Sequence, residues 1–486
     1  MHCQITSRGY VLLASLLTAA LPIQADEAIL IGGGHDVHST KMQNELSVRW
    51  IQNVINNQEI PSNIWFTDGT EAGADVHYLA TDEEAKHELM PLARVFGNAT
   101  IDRHRYRENE FDSVYGSTRL NDLAPALTTK FETTTDQPVL FIFSGLGSPT
   151  ANRPAGVSMK LWDNTALSTT QLNTLLGERT SPFRFVMNQC YSGGFHSLAF
   201  KNPDEGLELA SGPRCGFTAQ SAWQKPESCH EGLGTDDNED YNSSFFAALS
   251  GFERNGEMVD SDPDTDANGV TSLREAHFFT LTRTGSVDLP RSTSEHYLNN
   301  WQPWYLRWLP PGPTLPNNEY AKLFRDVSVK LGIELDSSVG QILRGQLRTL
   351  QNSQKEATTK QLTAIEQLQN TRTILQDSTL SHWPALKGPY SGAFIAMASK
   401  GQLGDVAAFL GSHELYEKML AQQKLVDSLA SEIKALEHQV AQRQKLFYLR
   451  RLAVLKEQLK LHGSAREQAD YLSLVTCEET PLHGID

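Results

Sequence analysis

Short apolar segments alternate with amphipathic ones along roughly the first three hundred residues of the chain. Four largely apolar segments have the length of β-strands, and each is followed by glycine, serine, asparagine or aspartate: residues 28–31, 63–67, 139–143 and 183–187. Between the first two, apolar residues recur every fourth position and predict one face of a helix: Met42, Leu46, Trp50 and Val54. Segment 139–143 has no polar side chain, which is typical of a strand covered on both faces. The alternation predicts an α/β fold, with a parallel sheet between two layers of helices.

The N-terminal segment has the features of a secretory signal peptide. Arg8 precedes an apolar run at 10–21, and Ala25 supplies the small residue expected at a cleavage site. The run is too short to span a bilayer comfortably, and no later stretch is apolar enough to do so. We expect residues 1–25 to be removed and the mature protein to be periplasmic or secreted. The alternative is a buried N-terminal helix.

The charge of the chain limits its partners. Lysine and arginine number 42 against 58 aspartates and glutamates, and the net charge of −16 becomes −17 when residues 1–25 are removed. Because nucleic acids and anionic membrane surfaces repel an acidic protein, neither is expected as a partner.

Four cysteines follow the signal segment: Cys190, Cys215, Cys229 and Cys477. Export permits disulfide bonds. Cys215 and Cys229 are the closest pair in sequence and flank a loop-like stretch, so we expect a bridge between them. The alternative is four free, buried thiols.

Two of the predicted strand ends carry features of a reactive site. In parallel sheets, ligands and catalytic groups collect beyond the carboxyl ends of the strands. Strand 139–143 is followed by the sequence SGLGS, and strand 183–187 is followed by NQCYSGGF, which contains Cys190. A thiol at a strand end, next to glycines that leave it open to approach, is a candidate nucleophile if its pKa is lowered.

These two stretches resemble motifs of the caspase, legumain and metacaspase group of cysteine peptidases. FIFSGLGS is similar to the motif that carries the catalytic histidine, and FRFVMNQCYSGGF is similar to the motif that carries the cysteine. The opening ILIGGG and the later CGFTAQSAW and YNSSFFAALSGF resemble the family's first strand and its post-cysteine strand and helix. The resemblance covers roughly residues 27–283 and implies a caspase-like domain at 26–308 that acts on or binds a peptide or protein.

The resemblance assigns roles to individual residues. Cys190 falls on the nucleophile, and Gly147, with the amide of Cys190, falls on the oxyanion hole. Leu146 stands where the family has histidine, and leucine cannot take a proton. A pseudoenzyme with a binding or scaffold role is therefore favoured. The alternatives are a peptidase that uses another base, with His35 preferred over His196, and a purely structural cysteine.

A second motif matches the twelve-residue calcium loop at positions 264–275. Gly269 is at the sharp turn, and the ligand positions are filled by oxygen donors: Asp264, Asp266, Asn268, the carbonyl of Val270, Ser272 and Glu275. The motif predicts Ca²⁺ here, and the alternative is a helix-capping loop that binds no metal.

The chain changes character after a proline-rich stretch at 309–318, which we interpret as a stiff linker. Beyond it, leucines recur at helical spacing, and residues at 426–440 form a heptad seam. The sequence WPALKGPYSG at 383–392 breaks any helix. Region 319–486 is therefore predicted to be a helical hairpin or antiparallel coiled coil. It could bind a coiled-coil partner or fold back on the sheet domain.

Overall fold

A computed structural model of the chain describes residues 26–80, 87–97, 104–149, 156–201, 206–222, 240–283, 285–308, 315–335, 339–388 and 391–482. The predicted signal segment 1–25, Cys229 and most of the predicted linker lie outside the described residues.

The central sheet has six strands. The strands of the described residues are β1 (Glu27–Gly33), β2 (Ser62–Phe66), β3 (Val76–Leu79), β4 (His104–Arg107), β5 (Val139–Gly145), β6 (Gly147–Pro149), β7 (Val157–Leu161), β8 (Thr165–Ser168), β9 (Phe183–Asn188), β10 (Arg214–Thr218) and β11 (Arg291–Ser292). The sheet order is β11-β10-β9-β5-β1-β2, and only β11 runs antiparallel to its neighbour. The four predicted strands are β1, β2, β5 and β9, and β5 lies inside the sheet. The prediction of an α/β fold with a mostly parallel sheet is confirmed.

Helices cover the sheet and continue to the C-terminus. They are α1 (Met42–Asn57), α2 (Met90–Phe96), α3 (Leu120–Thr133), α4 (Thr169–Leu176), α5 (Tyr241–Ser250), α6 (Leu273–Thr282), α7 (Thr293–Trp301), α8 (Glu319–Lys330), α9 (Val339–His382), α10 (Gly392–Ser399), α11 (Leu403–Ser412), α12 (Glu414–His462) and α13 (Ala465–Glu479).

Alternate residues of each inner strand enter two different cores. Leu30 and Ile142 pack with α1, α5 and α6 on one face of the sheet. Ile29 and Phe141 pack with α3 and α4 on the other face. Because both faces are covered, polar residues are absent from the middle of β1 and β5, which is the pattern that the sequence shows.

The two longest helices lie side by side and antiparallel. Gln354 of α9 hydrogen-bonds Glu437 of α12, and Arg443, further along α12, hydrogen-bonds Gln346, which comes earlier in α9. Both ends of this pair contact the α/β part of the protein. At one end, α12 and α13 share a core with α7 and α8. At the other end, Val95 of α2 packs in a cluster with residues of α9, α11 and α12.

A disulfide bond joins the end of the chain to the central sheet. It connects Cys215 in β10 to Cys477 in α13, with a Cα–Cα distance of 6.1 Å and a sequence separation of 262. The expected bridge between Cys215 and Cys229 was therefore wrong. That prediction relied on proximity in sequence. In the structure α13 packs against β10, and this packing places the sulfur of Cys477 next to that of Cys215.

The described helices include none that is long and apolar enough to cross a membrane.

Candidate functional site

The ends of β5 and β9 lie next to each other, as the motifs require. Ser144 of β5 pairs in register with Asn188 of β9, so the loops that follow both strands start at the same sheet edge. A Cβ atom added to Gly147 would collide with the carbonyl oxygen of Cys190 and would lie 2.7 Å from Cγ of Gln189. Only glycine permits this close approach. The structure therefore brings Gly147 and Cys190 together.

Cys190 is buried and oxidised. Its exposed fraction is 6%, and its sulfur takes part in a disulfide bond whose partner lies outside the described residues. The next residue, Tyr191, has a left-handed backbone with φ of 64°, which turns the chain from β9 into the short 3₁₀ helix Ser192–Ala199. A disulfide sulfur is not a thiolate, so Cys190 cannot attack a carbonyl until the bond is reduced.

Leu146, which directly precedes Gly147, supplies no base. Its side chain is half-buried, and its carbonyl oxygen accepts a hydrogen bond of 2.8 Å from the amide of Lys160 in β7. That bond anchors the loop between β5 and β6 to the neighbouring hairpin. The position is thus well fixed but chemically inert.

His35 lies at the same sheet edge as Cys190 but two strands away. It follows β1, which pairs with β5, and β5 in turn pairs with β9. Neighbouring strands are about 4.8 Å apart, so β1 and β9 are separated by about 10 Å. The His35 Nε2 atom is 3.6 Å from the Asp36 carboxylate, and its Nδ1 atom is buried and makes no hydrogen bond within the described residues. The Nε2 atom of His35 thus faces the carboxylate of Asp36, its neighbour in sequence, and not Cys190.

His196 is on the 3₁₀ helix after Cys190, and both of its ring nitrogens are engaged. Nδ1 lies 3.0 Å from the hydroxyl of Thr293, and Nε2 lies 3.1 Å from the hydroxyl of Thr218. Burial, with smaller contributions from neighbouring histidines and Arg291, lowers the pKa of His196 well below its ordinary value. The ring is therefore neutral and held inside the protein.

Three of the predicted ligands in the acidic loop lie close together. One carboxylate oxygen from each of Asp264, Asp266 and Glu275 lies within 4.8 Å of the others, so the cluster could hold a metal ion. Asp264 accepts hydrogen bonds from the amides of Gly269 and Asn268. The bond from Gly269 is the main cause of the lowered pKa of Asp264, which keeps this group ionised.

The rest of the loop also shapes the start of α6. Gly269 has φ of +90°, as the sharp turn requires, and the amide oxygen of Asn268 accepts from the amide of Val270. Ser272 is the N-cap of α6, and Glu275 closes a capping box with it. Glu275 also accepts a hydrogen bond of 2.7 Å from the amide of Thr265. The carboxylate of Glu275 thus has a structural role in the absence of metal.

A pocket that no sequence motif indicates opens next to the turn after Cys190. Gly193 and Gly194 of the 3₁₀ helix form part of its wall, and Arg291 and Arg451 line it from β11 and α12. The two arginines are 160 positions apart, and neither belongs to a motif.

Comparison with known proteins yields little. No family model matches the chain, and no curated protein matches it. Among solved structures, the chain is similar to Raptor from Chaetomium thermophilum, with 10% sequence identity and a TM-score of 0.30, over 68% of this chain and 31% of that one. The chain thus spans less than a third of the length of that protein, and a likeness this weak supports no functional conclusion.

Proposed function

We propose that the protein is an exported, caspase-like pseudoenzyme that binds a peptide or protein segment at the carboxyl edge of its sheet without cleaving it. The observation that carries the proposal is the contact between Gly147 and Cys190 beside Leu146. Binding a polypeptide there needs the backbone and the shape of the loops, whereas cleavage also needs a free thiol and a base.

Two further features of the site favour binding over cleavage. The sulfur of Cys190 is held in a disulfide bond, which suits an oxidising compartment and removes the nucleophile. The nearest histidine along the chain, His196, has both ring nitrogens bonded to threonine hydroxyls. It is also buried in neutral form, so it cannot readily take a proton.

A cysteine peptidase with His35 as base is the second candidate. The observation that favours it is the buried, unpartnered Nδ1 atom of His35 at the same sheet edge. Such an enzyme would require reduction of the Cys190 disulfide. It would also require His35 to move across the width of β5, since β5 separates the two strands that carry the residues.

Restoring the missing base tests the pseudoenzyme directly. The wild type should not cleave a panel of basic, acidic and asparagine-containing peptides, with or without reductant. Leu146→His should create activity once the disulfide is reduced, by about 10²-fold or more over background, because a placed general base contributes that much. Leu146→Asn is the matched control, since it adds polarity without a base. Fluorogenic peptide assays provide the measurement.

A peptidase that uses His35 would give a different result. If the reduced wild type cleaves a peptide, and Cys190→Ala and His35→Ala each abolish the cleavage, the protein is a peptidase and His35 is its base. A Leu146→His variant that folds but stays inactive would show that the oxyanion position at Gly147 is not functional.

We infer that the antiparallel pair α9 and α12 is a coiled coil that extends from the sheet domain. Of the predicted seam residues, Leu429 and Val440 are buried and Ile433 is half-buried, while the positions that flank Leu429 are exposed. This alternation is what a seam between two helices produces. A coiled-coil protein partner would bind along the exposed sides of the pair.

We further propose that the loop at 264–275 binds Ca²⁺. Its carboxylate cluster and the turn at Gly269 support the proposal. Calorimetry on the mature protein should show binding with a dissociation constant of about 0.1 to 1 mM, as is usual for extracellular sites of this kind. Glu275→Gln should weaken binding at least about tenfold because a bidentate ligand is lost, while a glutamine can still form the capping box of α6.

Asp122→Asn is the control for this experiment, because Asp122 is acidic and exposed on α3, which packs on the opposite face of the sheet from α6. It should bind calcium like the wild type. If no heat of binding is measured at millimolar calcium, or if the two substitutions have equal effects, the loop only caps α6 and does not bind calcium.

A further inference from the structure

An open pocket of about 770 Å³ lies between the α/β part of the protein and helix α12. Its walls come from the turn at Gly193 and Gly194, from β11, from α7 and from the C-terminal half of α12. It exists only because the helical region folds back on the sheet domain. Neither Cys190 nor Leu146 lines it, so what it binds does not depend on the proposed pseudoenzyme.

The pocket carries positive charge in an acidic protein. Arg291 and Arg451 both line it, and none of the described residues in its lining is aspartate or glutamate. The chain as a whole has a net charge of −16. Two cations that share a pocket repel each other, and a bound anion would relieve that repulsion.

Arg291 is positioned to receive such an anion. The centre of its guanidinium group is 3.3 Å from the centre of the Tyr448 ring, so the group stacks on the aromatic face. Its Nη1 atom is buried and has no hydrogen-bond partner in the described residues. The nearby carboxylate of Glu295 is already bonded to the Tyr448 hydroxyl, at 2.8 Å, and to His277, at 3.1 Å. A buried donor of this kind is costly unless a ligand satisfies it.

Arg451 supplies the second cation. Its Nε atom donates to the side-chain oxygen of Asn299 at 3.0 Å, which orients the guanidinium and leaves its outer nitrogens for a ligand. Partial burial lowers the pKa of Arg451, with further contributions from Arg307 and Arg291, but a guanidinium remains charged at neutral pH. His296, by contrast, has its pKa lowered to about 4 by burial and by Arg291, so it is neutral there.

Part of the remaining lining is apolar and aromatic, beside polar residues such as Ser197 and Asn300. Phe200, Leu207 and Phe447 contribute their side chains to the wall, and the Tyr448 ring backs Arg291. A small inorganic anion would leave this surface uncovered. A ligand that joins an anionic group to an apolar body would use both parts of the pocket.

We propose that this pocket binds an organic carboxylate with an aromatic or aliphatic body, with its carboxylate between Arg291 and Arg451. A planar carboxylate matches the paired donors of a guanidinium, and the body packs against Phe200 and Phe447. The same chemistry is offered by a free organic acid and by the C-terminal residue of a peptide.

Calorimetry on the mature, full-length protein tests the site with 1-naphthoate and with its neutral analogue 1-naphthamide. Naphthoate should bind, and naphthamide should bind at least about tenfold more weakly, because charge-assisted hydrogen bonds are lost. Arg291→Gln and Arg451→Gln should each weaken naphthoate binding by a similar factor. Arg348→Gln removes the same charge from an exposed position on α9 and should have no effect.

The source of the carboxylate is decided by a second pair of probes. The tripeptide acetyl-Ala-Ala-Phe is compared with its C-terminal amide: binding of the acid form alone points to a chain terminus, and binding of naphthoate alone points to a free organic acid. The proposal is overturned if neither acid binds, if the amides bind as well as the acids, or if the pocket variants behave like Arg348→Gln. Arg451 is exposed on α12, so Arg451→Gln keeps the test available even if Arg291→Gln does not fold.

Discussion

Replacing Glu478 with alanine is expected to lower the free energy of unfolding by about 3 to 5 kcal/mol, which is the usual cost of leaving one member of a buried ion pair alone. The exposed fractions of the Arg274 and Glu478 side chains are 3% and 0%. Glu478 lies 2.8 Å from Arg274 Nη1, and it accepts hydrogen bonds from the amide and the hydroxyl of Ser294. Without it, Arg274 keeps Glu319 and the more exposed Glu479 as partners.

Glu479→Ala provides a control at the adjacent position. Glu479 also faces Arg274, at 3.4 Å, but its side chain is 56% exposed. Water screens that interaction, so its loss should cost about 1 kcal/mol or less. Urea unfolding curves of both variants give the comparison. Equal losses of stability in the two variants would mean that the C-terminal helix is not held through this buried pair.

The sheet could be predicted from the sequence because helices cover both faces of its inner strands, and such strands are recognised by their apolar residues. Segment 139–143 is apolar throughout, segment 183–187 is apolar apart from Arg184, and both are inner strands. A helix through Met42 to Val54 was also predicted, and α1 confirms it. Of the residues spaced by four only Val54 is fully buried, and the core face is completed by Val48, Ile51 and Ile55. A spacing of four drifts by about 40° per step around a helix, so that pattern marks a helix without fixing its buried side.

The small sheets were not predicted. Strand β6 has three residues and overlaps the end of the SGLGS stretch, where the sequence indicates only a loop. Such a short strand forms because β7 pairs with it, and partner strands cannot be recognised from local pattern.

Part of the candidate site could be predicted because local motifs carry it. The order of the two strand ends placed Gly147 beside Cys190, and the loop at 264–275 placed three carboxylates together. The pocket could not be predicted, because Arg291 and Arg451 meet only when α12 packs on α7 and β11. The pairing of Cys215 depends on the same long-range packing of the C-terminal helices.

Removing the disulfide between Cys215 and Cys477 should have the second large effect. Cys477→Ser is expected to lower the free energy of unfolding by about 2 to 5 kcal/mol, because the bond closes a loop of 262 positions and so restricts the unfolded chain. Urea unfolding measures the loss. The double variant Cys215→Ser with Cys477→Ser should lose little more than either single variant does, since both substitutions remove the same bond.

The bond between Cys215 and Cys477 also determines how the protein should behave when it is cut in the predicted linker. If residues 309–314 are replaced by a specific protease site, the two pieces should stay together on a denaturing gel without reductant and separate only after reduction. Under native conditions they should co-elute even when reduced, because Tyr297 and Leu298 in the N-terminal piece share a core with Leu449 and Leu474 in the C-terminal piece. In Cys477→Ser, the cut pieces should separate on the unreduced denaturing gel. Pieces that separate without reduction in the wild type would show that Cys215 and Cys477 are not joined.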